Sequence, residues 1–107
     1  MNILLSCANG LSTSLVAQKI EKYMEEVGEQ GKVWAVDIDS VENELQNNKI
    51  DCILLAPQVQ YARREIQKVA DKYEVPMINV SGIDYGRMDT RKIYNGVLKA
   101  LGKQPDA

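Results

Sequence analysis

Histidine is the most informative absence in this 107-residue sequence, which contains none. Without histidine there can be no Cys–His or Ser–His nucleophile pair and no HExxH metal site. The chain itself also cannot carry a phosphoryl group on an imidazole. Any chemistry must therefore use thiol, hydroxyl, carboxylate, amide or backbone groups.

Cysteine is scarce. The two cysteines, Cys7 and Cys52, are far apart in the sequence and form no CxxC spacing. They fit neither a disulfide framework nor a zinc site. We expect both thiols to be reduced, as is usual for proteins of the cytosol.

Long apolar runs and dense clusters of one charge sign are also missing. No apolar stretch approaches the roughly 20 residues needed to cross a bilayer, and no basic segment precedes the first apolar run, so we expect no signal peptide. The formal net charge is −2 without a basic cluster, which disfavours nucleic acid as a partner. Size and composition predict one globular domain over residues 1–107, cytoplasmic, with residues 102–107 as a loose tail.

Strand and helix patterns alternate along the chain. Four short apolar runs predict strands at residues 2–6, 32–38, 50–56 and 75–80. Helical spacing predicts a helix from Ser12 to Gly28, a short helix capped by Ser40, a helix with Pro57 in its first turn, and a last helix over residues 89–101. Gly82 and Gly86 bracket an expected loop.

This alternation predicts an α/β fold, a parallel sheet with helices on both faces and right-handed crossovers. Pro76, near the start of the fourth strand, indicates an edge position for that strand. In such sheets ligands bind beyond the carboxyl ends of the strands. Cys7 lies at such an end, between the first strand and the first helix.

The loop after Cys7 has the composition of an anion site. The first helix begins with N–H groups that have no partner within the helix, and Gly10 allows the preceding amides to turn inward. Such a site should lower the pKa of the Cys7 thiol. The alternative is that Cys7 is a small buried hydrophobic residue that ends a strand.

Comparison with known phosphate-binding motifs limits the reactions that the loop after Cys7 could carry out. Neither GxxxxGK[ST] nor GxGxxG is present. In the cysteine-phosphatase pattern C-x5-R an arginine clamps the phosphate, but Thr13 stands at that position here. Without that arginine, a thiol in this loop can accept a phosphoryl group, but the loop contributes less charge to hydrolysis of the resulting phosphocysteine. This favours a protein that carries the phosphoryl group over one that hydrolyses it. A cysteine-dependent phosphatase and a non-catalytic regulatory module remain alternatives.

The stretch Cys7-Ala-Asn-Gly-Leu-Ser-Thr-Ser14 after a short strand resembles the IIB component of the lactose/cellobiose/chitobiose branch of the bacterial sugar phosphotransferase system. Leu54-Leu-Ala-Pro-Gln58 and Asp84-Tyr-Gly86 support the resemblance, which covers nearly the whole chain. Leu11 stands where these proteins often have methionine. The resemblance implies the order 2-1-3-4 for the four strands predicted above.

The resemblance also implies a phosphocysteine relay without a metal or an organic cofactor. A histidine-phosphorylated IIA protein would donate to Cys7, and Cys7 would pass the phosphoryl group to a disaccharide held by the membrane IIC protein. We expect the chain to be a monomer that reaches the membrane only through IIC.

Site residues follow from the resemblance, with Cys7 as the nucleophile. The expected phosphate-binding residues are Ala8, Asn9, Gly10, Leu11, Ser12, Thr13, Ser14 and Gln58. The expected partner-facing residues are Leu11, Pro57, Tyr61 and Tyr85. For Gln58 the alternative is a solvated residue in the first turn of a helix, and for Leu11 and both tyrosines it is ordinary packing.

Two further features have a competing interpretation. Asp37 and Asp39 flank the end of the second strand and could indicate metal-dependent phospho-aspartate chemistry, but the third strand ends in Leu55-Ala56 and offers no acidic acceptor. Cys52 lies within an apolar strand, and we interpret it as inert core.

Overall fold

A computed structural model describes residues 1–8 and 11–103, with the side chains of Leu11 and Ser12 outside the description. The strands are β1 Asn2–Cys7, β2 Lys32–Asp37, β3 Cys52–Leu55 and β4 Met77–Asn79. The α-helices are α1 Leu11–Glu26, α2 Val41–Asn47, α3 Arg63–Lys72, α4 Gly82–Gly86 and α5 Thr90–Ala100. Short 3₁₀ helices, Ile38–Ser40 and Pro57–Ala62, lead into α2 and α3.

The four strands form one parallel sheet in the order β2-β1-β3-β4, which confirms the expected topology and the edge position of β4. The register pairs Cys7 with Asp37 on β2, and Leu55 of β3 with Asn79 on β4. The carboxyl ends of all four strands therefore meet along one side of the sheet. We call this side the carboxyl edge.

Helices cover both faces of the sheet. α1 packs against α5 and α2 contacts α3, the two pairs that right-handed crossovers place on opposite faces of a sheet in this order. Tyr23 of α1 meets Tyr94 of α5 edge to face, with ring centroids 5.8 Å apart. The central strands β1 and β3 are consequently buried almost throughout, as expected for parallel strands covered on both sides.

Hydrogen bonds close the ends of two helices in the same way. At the end of α1, Gly28 has φ +83, its N–H donates to the Glu25 carbonyl, and the N–H of Glu29 donates to the Met24 carbonyl. This is a Schellman motif, and it confirms that Gly28 ends the helix. Gly102 and Lys103 close α5 with the same bonds, so the first two residues of the expected loose tail belong to a helix cap. Residues 104–107 lie outside the described residues.

Three local predictions need correction. The segment predicted as a loop is the short helix α4, because the Ser81 hydroxyl accepts a hydrogen bond from the Asp84 N–H at 3.0 Å and starts a helical turn. Ser40 stands at the N-cap of α2, but its side chain makes no capping bond. The helix expected from Pro57 is divided, because fully buried Val59 has the non-helical angles φ −118 and ψ 27.

No helix in the described part of the chain is long and apolar enough to cross a membrane.

Candidate functional site

Cys7 is the last residue of β1 and lies just beneath the surface at the carboxyl edge. Its side chain is 5% exposed, and the next residue, Ala8, is exposed. The thiol donates a weak hydrogen bond to the Val36 carbonyl oxygen of β2, with sulfur and oxygen 3.4 Å apart. The sulfur therefore lies close to solvent but is shielded from it.

The pKa of Cys7 is raised, mainly because burial disfavours the thiolate. A hydrogen bond with the Thr13 side chain lowers the pKa, and the negative charge of Asp37 on the neighbouring strand raises it further. The expected lowering of the Cys7 pKa is therefore wrong in this state of the protein. The sequence placed the thiol near a helix N-terminus but could not show that its side chain is buried.

The N-terminus of α1 follows Cys7 closely. The helix begins at Leu11 rather than Ser12, so the N–H groups of its first four residues have no acceptor within the helix. Of the predicted phosphate-binding loop, Asn9, Gly10 and the side chains of Leu11 and Ser12 lie outside the described residues. The structure therefore describes this loop only at its first residue, Ala8, and from the backbone of Leu11 onward.

Thr13 and Ser14 differ in their surroundings. Ser14 is exposed, whereas Thr13 is buried and its hydroxyl lies 2.9 Å from the hydroxyl of Tyr85. Tyr85 belongs to α4 and is 7% exposed. The expectation that Tyr85 forms part of a partner-facing rim is therefore wrong. Its ring is packed in the core because α4 turns it inward, and its hydroxyl meets Thr13.

The 3₁₀ helix Pro57–Ala62 borders the site from β3. The Ala56 N–H donates to the carbonyl oxygen of Ser6 at 3.0 Å, which fixes the start of this segment beside the residue that precedes Cys7. Pro57 is half-buried and Gln58 is exposed. Tyr61 is 77% exposed, which leaves its ring available at the surface.

The amino-acid sequence matches a known family over most of its length. Residues 2–95 match the family described as "PTS system, Lactose/Cellobiose specific IIB subunit". The chain belongs to this family. As a IIB subunit it is a phosphotransferase component of the sugar phosphotransferase system.

Individual IIB proteins are similar over nearly the whole chain. The oligo-beta-mannoside-specific EIIB component of Bacillus subtilis (strain 168) is 34% identical over 102 residues, which are 95% of this chain and 97% of that protein. The galactose-specific EIIB component of Lactococcus lactis subsp. cremoris (strain MG1363) is 36% identical, covering 85% of this chain and 87% of that protein. The solution structure of the cellobiose-specific IIB component from Borrelia burgdorferi has a TM-score of 0.77 at 28% identity, covering 100% of this chain and 96% of that one.

Two contributors to the environment of Cys7 were not predicted from the sequence. The Val36 carbonyl is a main-chain acceptor, which no side-chain pattern could reveal. Asp37 was considered only for metal-dependent phospho-aspartate chemistry, and the strand register shows instead that it pairs with Cys7 on the neighbouring strand. Among residues 1–8 and 11–103, no three acidic or thiol side chains lie close enough together to hold a metal ion.

Cys52 is distant from this site and differs from Cys7 in its surroundings. It pairs with Ile3 at the opposite end of β1, roughly 13 Å along the strand from Cys7 at about 3.3 Å per residue. It is fully buried, and burial raises the pKa of its thiol to about 12. Both cysteines are free. These properties agree with the interpretation of Cys52 as inert core.

Proposed function

We propose that Cys7 accepts a phosphoryl group from a histidine-phosphorylated IIA protein and passes it to a disaccharide held by a membrane IIC protein. The observation that carries the proposal is the position of Cys7, at the end of β1 and directly before the exposed Ala8 and the start of α1. The family supports the same conclusion, and the absence of histidine leaves a thiol as the strongest nucleophile on the chain.

The raised pKa of Cys7 is compatible with this transfer. In the first step a sulfur–phosphorus bond forms as the nitrogen–phosphorus bond of the donor breaks. The departing imidazole nitrogen needs a proton, and the neutral Cys7 thiol supplies the one that it must lose. In the second step a sugar hydroxyl attacks phosphorus, the sulfur leaves, and the hydroxyl proton returns to the thiol.

The first turn of α1 supports a bound phosphoryl group. Its N–H groups, which have no acceptor within the helix, and the positive end of the helix dipole favour an anion at this position. If the Tyr85 hydroxyl donates to Thr13, the Thr13 hydroxyl is free to donate toward Cys7. The exposed Gln58 amide can add a donor from the neighbouring segment. The proposed phosphate-binding residues remain Ala8, Asn9, Gly10, Leu11, Ser12, Thr13, Ser14 and Gln58.

A carrier explains the residue at position 13 better than a phosphatase does. Thr13 is buried against Tyr85 and provides a neutral hydroxyl where the phosphatase pattern has a cation. Position 13 therefore provides no positive charge to activate a phosphoryl group on Cys7 toward attack by water. The purified chain should leave an aryl phosphate intact, and phosphorylated Cys7 should need a partner to discharge it.

We propose Pro57 and Tyr61 as partner-facing residues, and Tyr85 is omitted because it is buried. Leu11 remains a partner-facing residue by prediction only, because its side chain lies outside the described residues. The same surface must meet IIA and IIC in turn, so each interface should be small and transient. We propose that a monomer comprising one domain does this in the cytoplasm. The similar proteins are named for different sugars at comparable identity, so we propose the lactose/cellobiose class and assign the choice of sugar to IIC.

The complete relay tests the proposal. Phosphoenolpyruvate, the general transfer proteins, a matching IIA and membranes that contain IIC are mixed with a labelled disaccharide. Wild type and Cys52→Ser should phosphorylate the sugar, and Cys7→Ser should not. Sugar phosphorylation that persists in Cys7→Ser would contradict the proposal.

A further inference from the structure

Three cations border a groove at one end of α3. The groove has a volume of about 390 Å³ and is lined by Arg63, Arg64, Gln67, Lys68 and Asn79. We call it the basic groove. Arg63, Arg64 and Lys68 are exposed, and none of them forms an ion pair with another described residue. In a chain with a net charge of −2, this is a local concentration of positive charge, bordered by one carboxylate, Asp71, which accepts a hydrogen bond from the Gln67 amide at 2.9 Å.

The basic groove lies on the same side of the protein as Cys7. Asn79 ends β4 at the carboxyl edge, and α3 starts at this edge because it follows the 3₁₀ helix after β3. β3 alone separates β4 from β1, so the two strands lie about 10 Å apart at the usual spacing of strands. A protein that covers Cys7 and the exposed Tyr61 can therefore reach the groove as well.

The two arginines occupy positions where they do not help the fold. Arg63 and Arg64 are the first two residues of α3, where the positive end of the helix dipole disfavours cations. The ion pair that α3 does make, between Lys72 and Glu42, is at the opposite end of the helix. Charges that oppose local stability without compensation are typical of binding surfaces.

We propose that the basic groove docks an acidic face of the phosphorylated IIA donor, an inference that rests on the proposed function. Charge complementarity selects this occupant, because the donor arrives with a phosphoryl group of about −1.5 to −2 charge. Three nearby cations attract it and raise the rate of encounter. After transfer the phosphoryl charge resides on Cys7, and the dephosphorylated donor is attracted less strongly. The groove thus favours arrival of the charged donor and release of the discharged one.

Charge reversal tests this docking. The variant Arg63→Glu/Arg64→Glu is compared with Lys32→Glu/Lys49→Glu, whose exposed lysines lie toward the opposite side of the sheet. Both double variants change the net charge equally. Glutamate is favoured in the first turn of a helix, so the arginine variant should unfold at the same temperature as wild type or higher. The second-order rate of phosphoryl transfer from IIA to Cys7 is measured by rapid quench at low and at high salt.

We expect the arginine variant to transfer about tenfold more slowly at low salt, with a smaller difference at high salt. The lysine variant should stay within about twofold of wild type at the same ionic strength. Equal rates in wild type and the arginine variant, or an equal loss in the lysine variant, would overturn the proposal. A loss confined to sugar phosphorylation on IIC membranes would also overturn it, because the groove would then serve the acceptor.

A binding measurement separates this inference from the proposed function. In a Cys7→Ala background, which has no sulfur to phosphorylate, the affinity for phosphorylated IIA should exceed that for unphosphorylated IIA and fall with salt. Adding Arg63→Glu/Arg64→Glu should reduce the preference, with the first turn of α1 supplying what remains, and an unchanged preference would overturn the docking proposal. If wild-type Cys7 takes up no phosphoryl group, the proposed function fails, whatever the binding shows.

Discussion

The hydroxyl groups of Thr13 and Tyr85 lie 2.9 Å apart, and both side chains are buried. Thr13 is in the first turn of α1, and Tyr85 is in α4, after the last strand of the sheet. The contact therefore joins the start of the helix beside Cys7 to a short helix far away in the sequence. Because Thr13 also hydrogen-bonds with Cys7 and lowers its pKa, Tyr85 can influence the thiol without touching it.

Tyr85→Phe tests this indirect effect. The substitution keeps the buried ring but removes the partner of the Thr13 hydroxyl, so we expect a loss of about 1 kcal/mol in the free energy of unfolding. We also expect a higher pKa for Cys7 and slower alkylation of its thiol by iodoacetamide, because Thr13 loses the hydroxyl partner that orients it. Urea unfolding and the rate of alkylation are the two measurements.

Tyr61→Phe is the matched control, because its side chain is 77% exposed. It should change neither quantity. Wild-type stability together with a wild-type alkylation rate in Tyr85→Phe would show that the pair of hydroxyls is incidental.

The reactivity of Cys7 should depend on pH in a defined direction. Burial and the Asp37 carboxylate raise the pKa of Cys7, so the reactive thiolate is a minor species at neutral pH. The rate of alkylation should rise with pH and reach no plateau until the pH is above the ordinary range for cysteine. A plateau below pH 8 would contradict the structure of the site.

Asp37→Asn should make the Cys7 thiol more reactive. Removing a negative charge beside the sulfur lowers the pKa of Cys7 and raises its thiolate fraction, so alkylation at pH 7.5 should be faster than in wild type. Asp39→Asn is the control, because Asp39 is exposed and does not contribute to the shift at Cys7. Equal acceleration in both variants would indicate a general effect of charge instead of a specific effect of Asp37.

Gly31 should be indispensable for the pairing of β2 with the start of the chain. A Cβ atom at this position would overlap the carbonyl oxygen of Met1, which accepts a hydrogen bond from the Lys32 N–H at 3.0 Å. Gly31→Ala should therefore lower the free energy of unfolding by about 2 kcal/mol. Gly82→Ala has open space around the new methyl group and should stay within about 0.5 kcal/mol of wild type. Similar stability of the two variants in urea would contradict the packing at Met1.

The sequence predicted the regular elements well where a pattern extends over several turns or a whole strand. The stripe along α1 and its end at Gly28 could be predicted because apolar spacing and a left-handed glycine leave clear signals. α4 could not, because five residues are too few for a periodic pattern and its start depends on one serine cap. The residue patterns predicted a parallel sheet, but the order of its strands came from the resemblance to a family.

The sequence predicted where the site lies, but it did not predict the direction of the pKa shift of Cys7. Cys7 follows a strand and precedes a helix, which a sequence shows directly. The direction of its pKa shift depends on burial and on Asp37, and only the paired strands bring that charge close. Tyr85 was expected at the surface because no local pattern reveals which way a five-residue helix faces. The basic groove was not predicted, because Asn79 joins Arg63 and Arg64 only in the folded chain.

The most direct test of the central claim is the intact mass of the protein after incubation with phosphoenolpyruvate, the general transfer proteins and IIA. Wild type and Cys52→Ser should each gain the mass of one phosphoryl group, and Cys7→Ser should gain none. A phosphoryl group found on Cys52 or on a hydroxyl, or one that persists in Cys7→Ser, would contradict the account.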